Sequence, residues 1–175
     1  MIHLLGARYH GYAGRGYGGP LPDSYYARVK TLGMGDAEAN NIIAYLATGD
    51  PSPGDVAGNI GRSVLRKFNV TFDFMHGNLF LEKNANWGEP GVFNRAGIVI
   101  DPIEKGQQVM TILPGSPGEA AGLAVGDIIT AIDNHPPADD PVDPAFLQPV
   151  GTAVHLTVRR GNEVRKIDVT LRDMF

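Results

Sequence analysis

Pro114-Gly115-Ser116-Pro117-Gly118-Glu119-Ala120-Ala121-Gly122-Leu123-Ala124-Val125-Gly126-Asp127-Ile128-Ile129-Thr130-Ala131-Ile132-Asp133 is the stretch on which the fold of this chain turns. It opens with the start signals of a helix. The Ser116 hydroxyl can satisfy an orphan amide of the first turn, Pro117 suits the first helical position, and Glu119 can reach back. Gly122 stands where a helix C-terminus favours a left-handed residue, so only one or two turns fit. Residues 127–132 then read as a strand, with a turn at Asp133-Asn134.

Towards the C-terminus the pattern becomes one of alternation. Val154, Leu156 and Val158 alternate with His155, Thr157 and Arg159, and Ile167, Val169 and Leu171 with Lys166, Asp168 and Thr170. Joined through Arg160-Gly161-Asn162-Glu163, they predict a closing amphipathic hairpin. Residues 143–148 read as a short capped helix behind an acidic, proline-rich stretch at 136–144.

Towards the N-terminus the texture changes near Asn94. Residues 1–94 balance their charges, whereas 95–175 carry the whole net charge of −4. Asn84-Ala85-Asn86-Trp87-Gly88-Glu89-Pro90-Gly91 is rich in turn formers and is the best linker candidate. Before it, residues 24–32 and 41–47 read as strands joined around Gly33-Met34-Gly35-Asp36. Residues 61–68 fit a short helix with Val64, Leu65 and Phe68 inward and Arg62, Arg66 and Lys67 outward. Residues 70–74 and 78–81 form a hairpin about His76-Gly77.

The 175 residues suit one domain or two small ones, and 23 Gly with 13 Pro favour short strands and loops over long helices. No apolar run reaches the ~18 residues of a membrane span. An acidic balance argues against nucleic acid held on a basic surface. The absence of cysteine removes disulfides, thiolate metal sites and cysteine nucleophiles. Gly14-Arg15-Gly16-Tyr17-Gly18-Gly19 spells a dinucleotide fingerprint, but Pro20 and Pro22 follow where a helix must start. His3, His10, His76, His135 and His155 lack metal-ligand spacing, and none of Ser24, Ser52, Ser63 and Ser116 lies in a nucleophile elbow. No cofactor or metal is expected.

The 114–133 stretch, with Gly151-Thr152-Ala153-Val154 and the closing hairpin, resembles bacterial PDZ domains over about residues 95–175. The resemblance implies binding of peptide or protein C-termini by strand addition. The carboxylate would be received by the loop Arg95-Ala96-Gly97-Ile98 and the peptide would pair with Ile98-Val99-Ile100. Pro144 and Leu147 would wall the pocket, Phe146 would face the core, and Arg95 would add a charge-assisted contact. Substitution at Gly97 or Leu147 is expected to weaken binding without unfolding.

Ala57-Gly58-Asn59-Ile60-Gly61-Arg62-Ser63-Val64-Leu65-Arg66-Lys67-Phe68-Asn69-Val70-Thr71-Phe72-Asp73-Phe74 resembles the closing segment of retropepsin-like aspartic proteases, in which a short helix leads into a hairpin. Tyr12, Gly16, Tyr17 and Gly18 would then belong to the flap. A retropepsin-like unit followed by a PDZ domain is a known bacterial arrangement, in which export signals are common; a cell-envelope or periplasmic site follows from that. None of the thirteen aspartates lies in the Asp-Thr/Ser-Gly loop such catalysis needs. The expectation is a mainly β chain with short helices: a truncated retropepsin-like unit (1–84), a linker (85–94) and a partly open PDZ barrel (95–175). It should be inactive alone, a C-terminal piece of an aspartic endopeptidase, with homodimerisation through 1–84 expected from uncovered apolar surface. The other reading is a non-catalytic peptide-binding adaptor.

Overall fold

The computed structural model describes the backbone of residues 3–10, 15–16, 19–20, 24–47, 58–140 and 142–175, and the side chains of 25–46, 58–140 and 142–175. The bulk of the chain gathers into two compact units, one running to Gly91 and one from Val92 to Met174. The architecture is mainly β, with short helices and open sheets.

In the first unit β1 (His3–His10) lies beside a long hairpin of β4 (Ser24–Met34) and β5 (Ala37–Ala47). Between them β2 (Arg15–Gly16) and β3 (Gly19–Pro20) form a small ribbon. Gly16 pairs there with Gly19, whereas Tyr12, Tyr17 and Gly18 lie outside the described residues. The β4–β5 turn is tighter than expected. Met34 still pairs with Ala37, leaving only Gly35-Asp36 to reverse the chain.

The predicted helix over 61–68 is reduced to α1 (Arg62–Leu65), because Phe68 already begins β6 (Phe68–Asp73), which pairs with β7 (Asn78–Lys83). Val64 from the helix and Phe68 from the strand join Val29, Ala39 and Ile42 in one apolar cluster. Lys67 corrects the sequence reading: it lies beyond the helix and is 1% exposed rather than outward. Its ammonium donates to the carbonyls of Trp87 and Glu89. Burial, then the neighbouring Arg66 charge, lowers its pKa, with Glu89 opposing them.

Those carbonyls belong to residues 84–91, which are strapped onto the first unit. Trp87 donates its indole N–H to Glu38 O at 3.0 Å and carries the Lys83 ammonium 3.8 Å above its ring. Arg66 pairs with Glu89, and Gly91 N–H reaches Asn41 O. A Cβ on Gly91 would stand 2.8 Å from Ile43 N, so only glycine permits this approach.

One face of the β6–β7 hairpin begins in the core at Phe68 and passes through half-buried Val70 and Leu81. It emerges as exposed Phe72 and Leu79, where Phe72 stacks on Phe74 with ring centroids 5.7 Å apart. Phe74 and Met75, in the turn, are 89% and 90% exposed.

The second unit is built on one antiparallel sheet ordered β12-β11-β10-β9-β8. Its strands are β8 (Ile98–Ile103), β9 (Gly106–Ile112), β10 (Ile128–Ile132), β11 (Ala153–Arg160) and β12 (Glu163–Thr170). The alternation read in the closing hairpin holds: Val154, Leu156, Val158, Ile167 and Val169 all enter the core with Phe146 and Ile129. Helix α2 (Pro117–Ala120) has Ser116 as its cap, the hydroxyl accepting from Glu119 N–H at 3.2 Å. The Glu119 carboxylate takes the N–H of Gly115, because that of Ser116 is already given to Leu113 O. Gly122, Asp133 and Asn134 all have positive φ, as their turns require. The capped segment at 143–148 is a 3-10 turn, Pro144–Leu147, rather than an α-helix. No helix among the described residues is long and apolar enough to cross a membrane.

Candidate functional site

β8 is an edge strand. It pairs with β9 on one side, and among the described residues no strand lies on the other. Antiparallel pairing alternates inward and outward backbone groups. The two-residue turn Glu104-Lys105 closes on the Ile103–Gly106 pair, so Asp101 also faces β9 and Ile100 faces the open edge. Leu113 N–H bonds to Gly97 O at 2.8 Å, which likewise turns Ile98 outward. Two residues of one strand therefore present main-chain groups to an added strand. Their side chains are buried in the core. Pro102, having no N–H to give, is tolerated because it sits on an edge.

The preceding loop is fixed on every side. Arg95 N–H donates to Phe146 O at 2.9 Å, Ala96 N–H to Asn94 Oδ1 at 3.0 Å, and Gly97 N–H to Asn94 O at 3.0 Å. Its carbonyls are engaged as well: Arg172 N–H reaches Arg95 O and Gly118 N–H reaches Ala96 O. Gly97 has a φ of +68°, and a Cβ there would meet Ser116 Cβ at 2.3 Å. This corrects the expectation that Gly97 can be replaced with the fold intact.

Arg95 also takes a different part from the one expected. Its guanidinium bonds Asp173 at 2.8 Å and the carbonyls of Leu147 and Gln148 at 2.7 and 2.8 Å. It ties the loop to the end of the 3-10 turn instead of standing free for a carboxylate. The loop and Leu147 are thus brought together, with Leu147 half-buried and Pro144 exposed. Val99, between the two outward-facing residues, pairs with Thr111 on β9.

The 3-10 turn is in turn held from beneath. Asp143 caps it through Ala145 N–H at 2.9 Å and accepts from Ala138 N–H at 2.8 Å. Fully buried Gln107 on β9 donates to the Ala138 and Asp140 carbonyls and to Asp143. The acidic, proline-rich stretch is therefore a braced support for the 3-10 turn. Nothing local in the sequence marks Gln107 or Asp173; Asn94, a turn-forming residue two positions before the Ala96 amide it accepts, carries a local signal.

Two ionic contacts lie away from this edge. Asp127, 1% exposed, accepts from Arg160 at 2.7 and 2.8 Å and from Ala124 N–H at 2.9 Å. Burial pushes its carboxyl up, but the Arg160 and Ala124 hydrogen bonds with the nearby positive charges prevail and hold it below the ordinary value. On the β11–β12 surface His155 Nδ1 lies 2.7 Å from Asp168, whose hydrogen bond and charge raise the imidazole pKa. This pair's contribution is full below the unfolded value of about 6.5 and fades as pH climbs through the folded one. His155→Gln is expected to lower the melting temperature more at about pH 5.5 than at about pH 8.5. An identical loss at both, read by circular dichroism, would remove the pair from the account. Among the described residues no group of His, Asp and Glu could hold a metal ion.

Residues 108–160 match the family model described as PDZ domain. A PDZ domain is therefore present; the matched segment runs from β9 to the end of β11, and the β8 edge lies just before it. The chain is also similar to a protein named Serine protease HTRA1, from Xenopus tropicalis, with 35% identity over 69 residues. That stretch is 39% of this chain, and the match spans only 15% of the relative's length.

Proposed function

We propose, from the PDZ domain this chain contains, that it binds extended peptide segments as an added strand along β8. The observation that carries this reading is the open edge at Ile98 and Ile100, preceded by a loop that Arg95 ties to the Leu147 carbonyl. Leu147→Asp is expected to weaken peptide binding about tenfold or more, since it puts a charge where an apolar side chain would dock. Leu147 is half-buried and outside the main apolar cluster, so the melting temperature should change little. Undiminished affinity by calorimetry in the folded variant would place the groove elsewhere.

The domain serves, in this reading, to position substrates for a proteolytic unit; the similarity to a protein named as a protease supports that association. Residues 1–84 belong to a retropepsin-like unit, 85–94 to the connection and 95–175 to the PDZ domain. Support for the aspartic class comes from residues 57–74, where a one-turn helix leads directly into a hairpin. The relative named above is a serine protease and lends nothing to that class. Lacking any Asp-Thr/Ser-Gly loop, the chain should not cleave peptides at acidic pH; turnover surviving repurification would overturn this. The exposed Phe72, Phe74, Met75 and Leu79 support self-association of the first unit, which a monomeric mass by light scattering at high concentration would refute.

A further inference from the structure

We infer that Asn94 fills the place a peptide's terminal carboxylate would take, so that β8 receives internal extended segments rather than free C-termini. The inference rests on the strand-addition reading above and sharpens it. Recognition of a carboxylate at this loop requires several N–H groups converging on one point. Of the four amides in residues 95–98, three are already spent. Arg95 gives its own to Phe146 O at 2.9 Å, and Gly97 gives its own to Asn94 O at 3.0 Å. The Ala96 amide goes to the Asn94 side-chain oxygen at 3.0 Å. Ile98 alone retains an N–H directed at the open edge.

The side-chain oxygen of Asn94 thus does for Ala96 what a ligand oxygen would do. Its identity as the oxygen follows from the partner, since a backbone N–H needs an acceptor. The residue is only 6% exposed and Ala96 is fully buried, so the bond is shielded from competing water. The Asn94 amide nitrogen is buried with no acceptor, a desolvation cost the loop bears in order to keep the oxygen in position. The one cation of the loop is committed too, because the Arg95 guanidinium is held by Asp173, Leu147 O and Gln148 O. Among residues 95–98 an incoming carboxylate would find one donor and no uncommitted positive charge. A passing main chain needs neither, since edge pairing at Ile98 and Ile100 supplies its hydrogen bonds.

The test is an array of random decapeptides printed twice, once coupled through the N-terminus with a free carboxylate and once coupled through the C-terminus. The full chain is expected to bind the same sequences on both prints, with affinities within about twofold in solution. Binding confined to the free-carboxylate print, or a preference for it of about tenfold, overturns the inference while leaving strand addition standing. Binding to neither print overturns strand addition itself. Asn94→Ala releases the Ala96 amide while keeping the Gly97 turn bond, which uses the backbone oxygen. It should gain a preference for free carboxylates of about fivefold or more. A folded Asn94→Ala variant with no such gain removes the role from Asn94; if that variant does not fold, the wild-type comparison decides alone.

Discussion

Gly97→Ala is expected to destabilise the second unit by about 2–4 kcal/mol. Two costs combine. At a φ of +68° an L-residue pays roughly 1 kcal/mol or more for the left-handed conformation. The added Cβ would also overlap Ser116 Cβ at 2.3 Å and approach Met174 Sδ at 3.2 Å, and overpacking of this kind costs about 1–3 kcal/mol. Ser116 cannot withdraw, because it is fully buried and caps α2. Gly115 provides the control: its φ is +69° but a Cβ there meets nothing within 4 Å. Gly115→Ala should therefore show the conformational cost alone, about 1 kcal/mol. Equal losses for the two variants in urea unfolding would show that the Ser116 contact does not matter.

The second large effect is expected at Asp127. Removing its carboxylate leaves the Arg160 guanidinium and the Ala124 amide without their acceptor, and losing a buried acceptor of this kind costs about 1–3 kcal/mol. Arg160 keeps a third of its side chain in water and can be rehydrated, which places the expectation near the lower figure. The pH dependence has a definite sign. The folded carboxyl titrates below the unfolded value of about 3.9, so the stabilisation is complete above that pH and disappears as pH falls through the folded value. Asp127→Asn should be clearly less stable than wild type at neutral pH, with the gap narrowing as pH is lowered from about 3.9 towards about 2. A gap that stayed constant down to that pH would mean the charge is irrelevant and only the shape counts.

Local chemistry explains which features could be read in advance. Ser116-Pro117, Gly122, Asp133-Asn134 and the alternating closing hairpin each declare themselves through a rule spanning only a few residues. Ser116 and Glu119 show where such rules stop: the serine caps as expected, yet the glutamate goes to Gly115 because Leu113 has already taken the Ser116 amide. Lys67 and Arg95 mislead a local reading for the same kind of reason. Each looks like a solvent-facing cation in its own neighbourhood, and each is drawn inward by carbonyls far along the chain: Glu89 for Lys67, Leu147 and Gln148 for Arg95. The start of strand β8 was legible from the Gly97-Ile98 step. The state of the amides leading into it was not, because that depends on Phe146 and on which atom of Asn94 turns inward.

Pro102 gives the open edge of β8 a definite end. Counting back from the Ile103–Gly106 pair, its ring nitrogen points outward, where any other residue would offer a donor. If a guest strand pairs along Ile98 and Ile100 as proposed above, it runs out of ladder at Pro102, so the paired stretch should be short. The same gap discourages other copies of the chain from stacking flank to flank, the route by which uncovered strands seed fibrils. An edge left open on one side is in this way kept from polymerising with itself.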